Sequence, residues 1–146
     1  MKKSILHQVL QSNSDIGIAV DLDWEESYKE RTNNPKLEAE NVLLNKDNQI
    51  IQIKKNIQNS KGRIGEFLGM VKLSAKGSKT LIKAYESLKS YQGRFHDSPL
   101  ASKAYLTDMF QELIDSKIRV TPIFISGKWC EIDTSQDLKR ACKLFS

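Results

Sequence analysis

The chain has 146 residues, 39% of them hydrophobic and 28% charged. That suits one domain, residues 1–146, able to bury its own core without disulfides or metal staples. No apolar run approaches the ~18 residues of a membrane span, and Met1–His7 turns polar too early to read as a secretory leader, so neither is expected in these residues; two free thiols, Cys130 and Cys142, in no metal-binding spacing suggest a reducing cytoplasm. The net charge of +5 is uneven: residues 1–40 carry 5 basic and 8 acidic side chains, 41–94 carry 11 and 3, and 95–146 carry 7 of each. The basic middle is either a phosphate-attracting surface or a solvated lysine-rich helix face.

Ile5, Leu6, Val9 and Leu10 recur at helical spacing and predict a short helix over 2–12. Asp15 then opens Ile16-Gly17-Ile18-Ala19-Val20, which reads as a strand buried on both faces, the kind found in parallel sheets. Asp21-Leu22-Asp23-Trp24 emerge at its C-terminal end, where open α/β sheets bind ligands. Residues 24–30 form one or two helical turns and 32–35 a loop. Val42–Leu44 and Ile50–Ile53 flank Lys46-Asp47-Asn48 as a hairpin. Residues 56–63 are a loop and 67–73 a strand. Ser74 caps a helix running to about Tyr91, with Leu81, Tyr85 and Leu88 on one face. After a loop at 92–98, Leu106, Met109, Phe110 and Leu113 mark an amphipathic helix over 102–115. Residues 118–125 form a strand that Pro122 confines to an edge or a bulge. Gly127-Lys128 turns into a short strand, Trp129–Ile132. Thr134 and Asp137 form a capping box for a last helix marked by Leu138, Ala141, Cys142 and Phe145. Strands and helices mixed in this way make an α/β protein.

Three groups carry chemistry. Asp21, Asp23, Trp24 and Tyr28 place two carboxylates and two aromatics at a strand end, a combination that holds a cation or an amine; the plainer reading is an acidic turn beside partly buried rings. Glu131 and Asp133 alternate around Ile132, and Asp133 precedes a helix N-terminus. A carboxylate there suits Mg²⁺, which shares its ligands with phosphates, or simply compensates the helix dipole. Lys54, Lys55 and Lys72 accompany Glu66 in the basic block, as point charges for phosphate or as surface lysines. No P-loop, GxGxxG or GxSxG pattern occurs, and no histidine adjoins Cys130 in sequence to activate it.

The ordered segments Ile18-Ala19-Val20-Asp21-Leu22-Asp23-Trp24, Tyr28 with Arg31-Thr32 and Pro35, Gly65-Glu66-Phe67-Leu68-Gly69-Met70-Val71-Lys72, Ala104-Tyr105-Leu106-Thr107-Asp108-Met109 and Trp129 with Glu131-Ile132-Asp133-Thr134 span nearly the whole chain. Together they resemble the C-terminal, acceptor-side half of a nucleotidyltransferase. The nearest likeness is to the choline-phosphate and phosphonate cytidylyltransferases, including the domain fused to phosphoenolpyruvate mutases. The resemblance implies a Rossmann-like mixed sheet with flanking helices, truncated relative to the whole enzyme. It implies transfer of a nucleoside monophosphate, CMP, from a nucleoside triphosphate to a phosphate or phosphonate acceptor. Asp133 matches the second metal aspartate. Asp21, Asp23, Trp24, Tyr28, Glu66 and Trp129 fall on the acceptor side, and Lys54 or Lys55 falls where phosphate is met.

The family's N-terminal half, with its Gly-rich triphosphate loop and first metal aspartate, has no counterpart in these residues. The chain is therefore expected to be inactive alone and to hold Mg²⁺ weakly or not at all without nucleotide. The alternative is a non-catalytic remnant that binds a small ligand or self-associates. A nucleic-acid partner is not expected, because the basic block lacks interleaved aromatics. A homodimer is expected, formed over apolar surface uncovered on Ile16–Val20 and on Ile5, Leu6, Val9 and Leu10.

Overall fold

The computed structural model describes residues 3–33, 35–58 and 61–146; residue 2 of the expected first helix and parts of the loops expected at 32–35 and 56–63 lie outside them. The fold is built around β1 (Ile16–Asp21), whose alternating side chains all meet apolar neighbours. Ile16, Ile18 and Val20 join one core cluster and Ala19 joins another on the opposite face. β1 pairs antiparallel with β4 (Arg63–Leu73) and parallel with β5 (Thr121–Phe124). β2 (Glu40–Leu44) pairs antiparallel with both β4 and β3 (Ile50–Lys55), so the sheet order is β3-β2-β4-β1-β5. The expected hairpin and the edge position of Pro122 are both present. The parallel-sheet expectation holds only for the β5 side of β1.

On one face, α2 (Ala75–Leu88) and α3 (Leu106–Asp115) cover the larger cluster, with Phe67 and Phe110 edge to face at 5.7 Å. On the other, α1 (Lys3–Leu10) buries Ile5 and Val9 against Ala19, Ile123 and Ile125. The apolar surface expected to drive self-association is thus covered within one chain; of that set only Leu6 and Leu10 stay exposed. No helix of the described residues is long and apolar enough to cross a membrane.

Several elements differ from the sequence reading. β4 begins at Arg63 rather than Phe67, because residues 63–66 find ladder partners in Leu44–Asn41. Trp129–Ile132 form no strand: β5 is the sheet edge, and these residues instead cross the end of β1. α2 buries Gly77 and half-buries Leu81, Ala84 and Leu88, leaving Tyr85 exposed one position off that stripe. α4 (Ser135–Phe145) buries Asp137 and Ala141 while Leu138, Cys142 and Phe145 face outward. Its inner contacts are polar, so its apolar residues do not mark the packed side.

The start of α2 is pinned to the start of β1. Ser74 caps the helix by accepting from the Gly77 amide at 3.0 Å, its hydroxyl donates to Asp15 at 2.6 Å, and its amide donates to the Asp15 carbonyl at 2.9 Å. A Cβ on Gly77 would lie 1.9 Å from that carbonyl oxygen. Ala ordinarily gains about 1 kcal/mol over Gly inside a helix; here the clash reverses the sign. Gly77→Ala is expected to destabilise the fold by roughly 3 kcal/mol, measured as a lower urea midpoint. An unchanged or higher midpoint would show that α2 is not docked this closely.

Candidate functional site

The ladder sets Asp21, Glu66 and Asn41 level with one another on three neighbouring strands. Glu66 is 3% exposed. A 3-10 turn, Trp24–Tyr28, follows β1 and brings the Tyr28 hydroxyl onto Glu66 as a hydrogen-bond donor to Oε1. Glu66 Oε2 is buried with no hydrogen-bond partner. Burial pushes the Glu66 carboxyl up from 4.5 to about 7; Glu131 and Asp21 push the same way, against the Tyr28 hydrogen bond and the Arg31 charge. Burial and the Glu66 contact hold the Tyr28 phenol far above its ordinary range. The ring of Tyr28 is buried edge-on against Trp24, 5.7 Å between centroids.

Tyr28 and Glu66 line a cavity of about 240 Å³ with Glu38, Glu40, Lys55, Tyr105, Glu131 and Asp133. Burial raises Glu40, and burial and then the Asp133 charge raise Glu131. Lys55 pairs with Glu38 at 3.0 Å and lies 5.4 Å from the Tyr105 ring centre, in reach of a cation–π contact. Five carboxyl groups and one ammonium therefore surround one small space between two tyrosines.

The structure gathers four of the expected residues here: Tyr28, Glu66, Lys55 and Asp133. Lys54 sits half-buried beside Asn41 on the ladder and does not line the cavity, whereas Lys55 does. Asp21 accepts from the Asp23 amide at 2.8 Å and from the Trp129 indole at 2.5 Å. Asp21, Asp23 and Trp129 line a neighbouring cavity of about 640 Å³ against α4, which shares the Glu131 wall. Trp24 is buried beneath Lys36, 5.1 Å from its ring centre, and lines neither space. Sequence reasoning missed Glu38, Glu40 and Tyr105 as cavity walls. It gave Arg31 no role and read Asp137 only as a cap. The period-2 pairing of Glu38 and Glu40 ahead of an apolar strand was the available signal for the first two.

Among the described residues no three His, Cys, Asp or Glu side chains are arranged to hold a metal ion. Asp133 offers one carboxylate, a donor set that fits Mg²⁺ only together with substrate phosphates.

The raised Glu66 carboxyl gives a stability test. Between about pH 4.5 and 7 the folded chain keeps a proton on Glu66 that the unfolded chain releases, so its contribution to stability falls as pH rises through that window. Glu66→Gln is expected to exceed the parent in stability at pH 8, by at most roughly 3 kcal/mol, with the gap closing toward pH 4.5. Urea denaturation at both pH values checks it; a variant weaker than the parent at pH 8 refutes the burial argument.

No family model matches the chain, and no curated protein matches it in sequence. Among solved structures it is similar to a Bacillus anthracis protein designated a glucose-1-phosphate thymidylyltransferase, in complex with sucrose. The TM-score is 0.58 and the identity 15%, covering 97% of this chain and 48% of that one. The chain thus spans about half the length of that structure. At this identity the likeness is one of fold: the five-stranded mixed sheet with flanking helices is nucleotidyltransferase-like, of the Rossmann type.

Proposed function

We propose that these residues form the acceptor side of a nucleotidyltransferase that moves CMP from CTP to a phosphate or phosphonate acceptor carrying an ammonium group. This is the reaction class of the choline-phosphate and phosphonate cytidylyltransferases that the sequence resembles. The observation that carries the reading is Glu66 Oε2, a buried carboxylate oxygen with no partner in a cavity walled by Glu40, Glu131 and Asp133. An unpaired buried carboxylate is costly, and an ammonium ligand supplies what it lacks. Tyr105 adds an exposed ring suited to a methylated ammonium.

In this reading the ammonium end enters toward Glu66, and the acceptor phosphate lies outward near Lys55 and Asp133. An acceptor oxygen attacks the α-phosphorus and pyrophosphate leaves. Asp133 would lend one carboxylate to Mg²⁺, which would offset charge on the transferred group. Donors for the triphosphate come from outside these 146 residues. A second reading, a small-ligand module without catalysis, is favoured by the lack of a three-ligand metal grouping among the described residues.

Two measurements test this. The 146-residue chain should release no pyrophosphate from CTP with Mg²⁺ and either phosphocholine or 2-aminoethylphosphonate, and should show no tight Mg²⁺ site by titration. Turnover by this chain alone would refute the half-site assignment. Choline, whose charge does not titrate, should bind about tenfold more tightly at pH 8 than at pH 6, because Glu66 ionises between them. Glu66→Gln should flatten that dependence. An affinity in the parent that is flat over this range removes Glu66 as the ammonium partner.

A further inference from the structure

Arg31 lies between the two cavities. Its side chain is 4% exposed, its guanidinium carbon sits 4.7 Å from the centre of the Tyr28 ring, and its Nε lies 3.0 Å from Asp137 Oδ1. The N–H is not directed along that contact, so it is an ion pair rather than a hydrogen bond, and neither Nε nor Nη2 has a hydrogen-bond partner. A guanidinium buried for stability alone would have those donors met. What it does have is a fixed place. Asp137 Oδ2 accepts from the Thr134 amide at 3.1 Å and hydroxyl at 2.8 Å, so the carboxylate facing Arg31 is locked into the cap of α4.

The segment around Arg31 is sewn to the same helix. Gln136 Oε1 accepts from the Thr32 and Asn33 amides, both at 3.2 Å, and its Nε2 donates to the Glu30 carbonyl and the Thr32 hydroxyl, both at 3.3 Å. Arg140 donates to the Ser27 carbonyl. The ring that Arg31 covers is the one whose hydroxyl holds Glu66.

We propose that Arg31 is a positioning residue for the ammonium cavity: anchored by Asp137 at the start of α4, it fixes the Tyr28 ring so that the hydroxyl stays on Glu66 Oε1 and Oε2 is left for the ligand. The ligand clause rests on the acceptor reading above; the ring clause does not. The arrangement also ties the acceptor cavity to the turn that carries Asp133, because one helix start holds both.

The test uses the full chain with tyrosine labelled at Cζ with carbon-13, the Tyr28 signal assigned through Tyr28→Phe, and choline as the probe. In Arg31→Met the Tyr28 signal is expected to move toward those of the three other tyrosines, which stay in place, and choline affinity to fall at least tenfold. Asp137→Asn keeps an acceptor for the cap but loses the charge, and is expected to move the same signal in the same direction. Arg31→Lys, which keeps charge without the flat guanidinium face, is expected to recover less than half of the lost affinity. A Tyr28 signal that stays in place in folded Arg31→Met overturns the proposal, whatever the affinity does. If Arg31→Met does not fold, Asp137→Asn decides by the same criterion. Absence of choline binding in the parent would sink the acceptor reading, while the ligand-free Tyr28 signal still decides the role of Arg31.

Discussion

A carboxyl group held 3% exposed on a central strand constrains everything around it. Glu66 occupies a ladder position between Asp21 and Asn41 that buries its side chain. Desolvation of its charged form is the largest influence on its proton. One oxygen is met by Tyr28, which requires the 3-10 turn after β1 to close back over the sheet. That turn is covered by Arg31, and Arg31 is held by the first turn of α4. Glu66 is thus linked through Tyr28 and Arg31 to the turn after β1 and to the start of the last helix, alongside the apolar cluster that buries Trp24 and Tyr28.

The central elements were legible because their causes are local. Ile16–Val20 is an apolar run of strand length, Ser74 and Thr134 are caps whose side chains accept the expected amides, and Met109, Phe110 and Leu113 repeat at helical spacing and are buried. The site was legible in its members and not in its grouping. Glu66 and Lys55 are placed by register across β2, β3 and β4, Tyr28 by the turn after β1 and Asp133 by the segment before α4, and a linear reading supplies none of these placements. Lys54 and Lys55 show this: only the observed ladder distinguishes them. Trp24 failed in another way. An aromatic next to two acids suggests a ligand surface, but its ring is large enough that burial against Tyr28 and Ala39 took precedence. In α4 the apolar spacing of Leu138, Cys142 and Phe145 is real, yet the side that packs is chosen by Asp137, Gln136 and Arg140 through hydrogen bonds and an ion pair.

The basic middle of the chain is not one phosphate site. Lys72 donates to the Ser14 carbonyl at 3.0 Å and Lys76 pairs with Asp15 at 2.9 Å, both at the far end of β1. Lys79 and Lys83 stand on the outer face of α2. Of the block, Lys55 is the lysine that lines the acidic cavity, and its pair with Glu38 is about half exposed, so it contributes little to stability. Solvated helix surface accounts for Lys76, Lys79 and Lys83, and the other basic residues of the block are spread over strands, turns and loops.

In the proposed reading, the charge of the cavity walls favours the ammonium end of a two-headed ligand over its phosphate end. Glu38, Glu40, Glu66, Glu131 and Asp133 face Lys55 alone among the cavity's ionisable side chains of opposite sign. A phosphate moving inward would lose hydration and meet the carboxylates, whereas an ammonium moving inward would meet Glu66, Glu40 and Glu131, whose carboxyls burial holds above the ordinary range. In the proposed reading, ammonium binding would favour the ionised form of Glu66, the carboxyl that burial raises to about 7. The phosphate left at the mouth would meet Lys55, which is already paired with Glu38, and the Asp133 carboxylate, so a further cation is needed to offset its charge. The same acids that would hold the acceptor therefore make its reactive end dependent on positive charge from elsewhere, whether Mg²⁺, the basic groups of a nucleotide-binding half, or both.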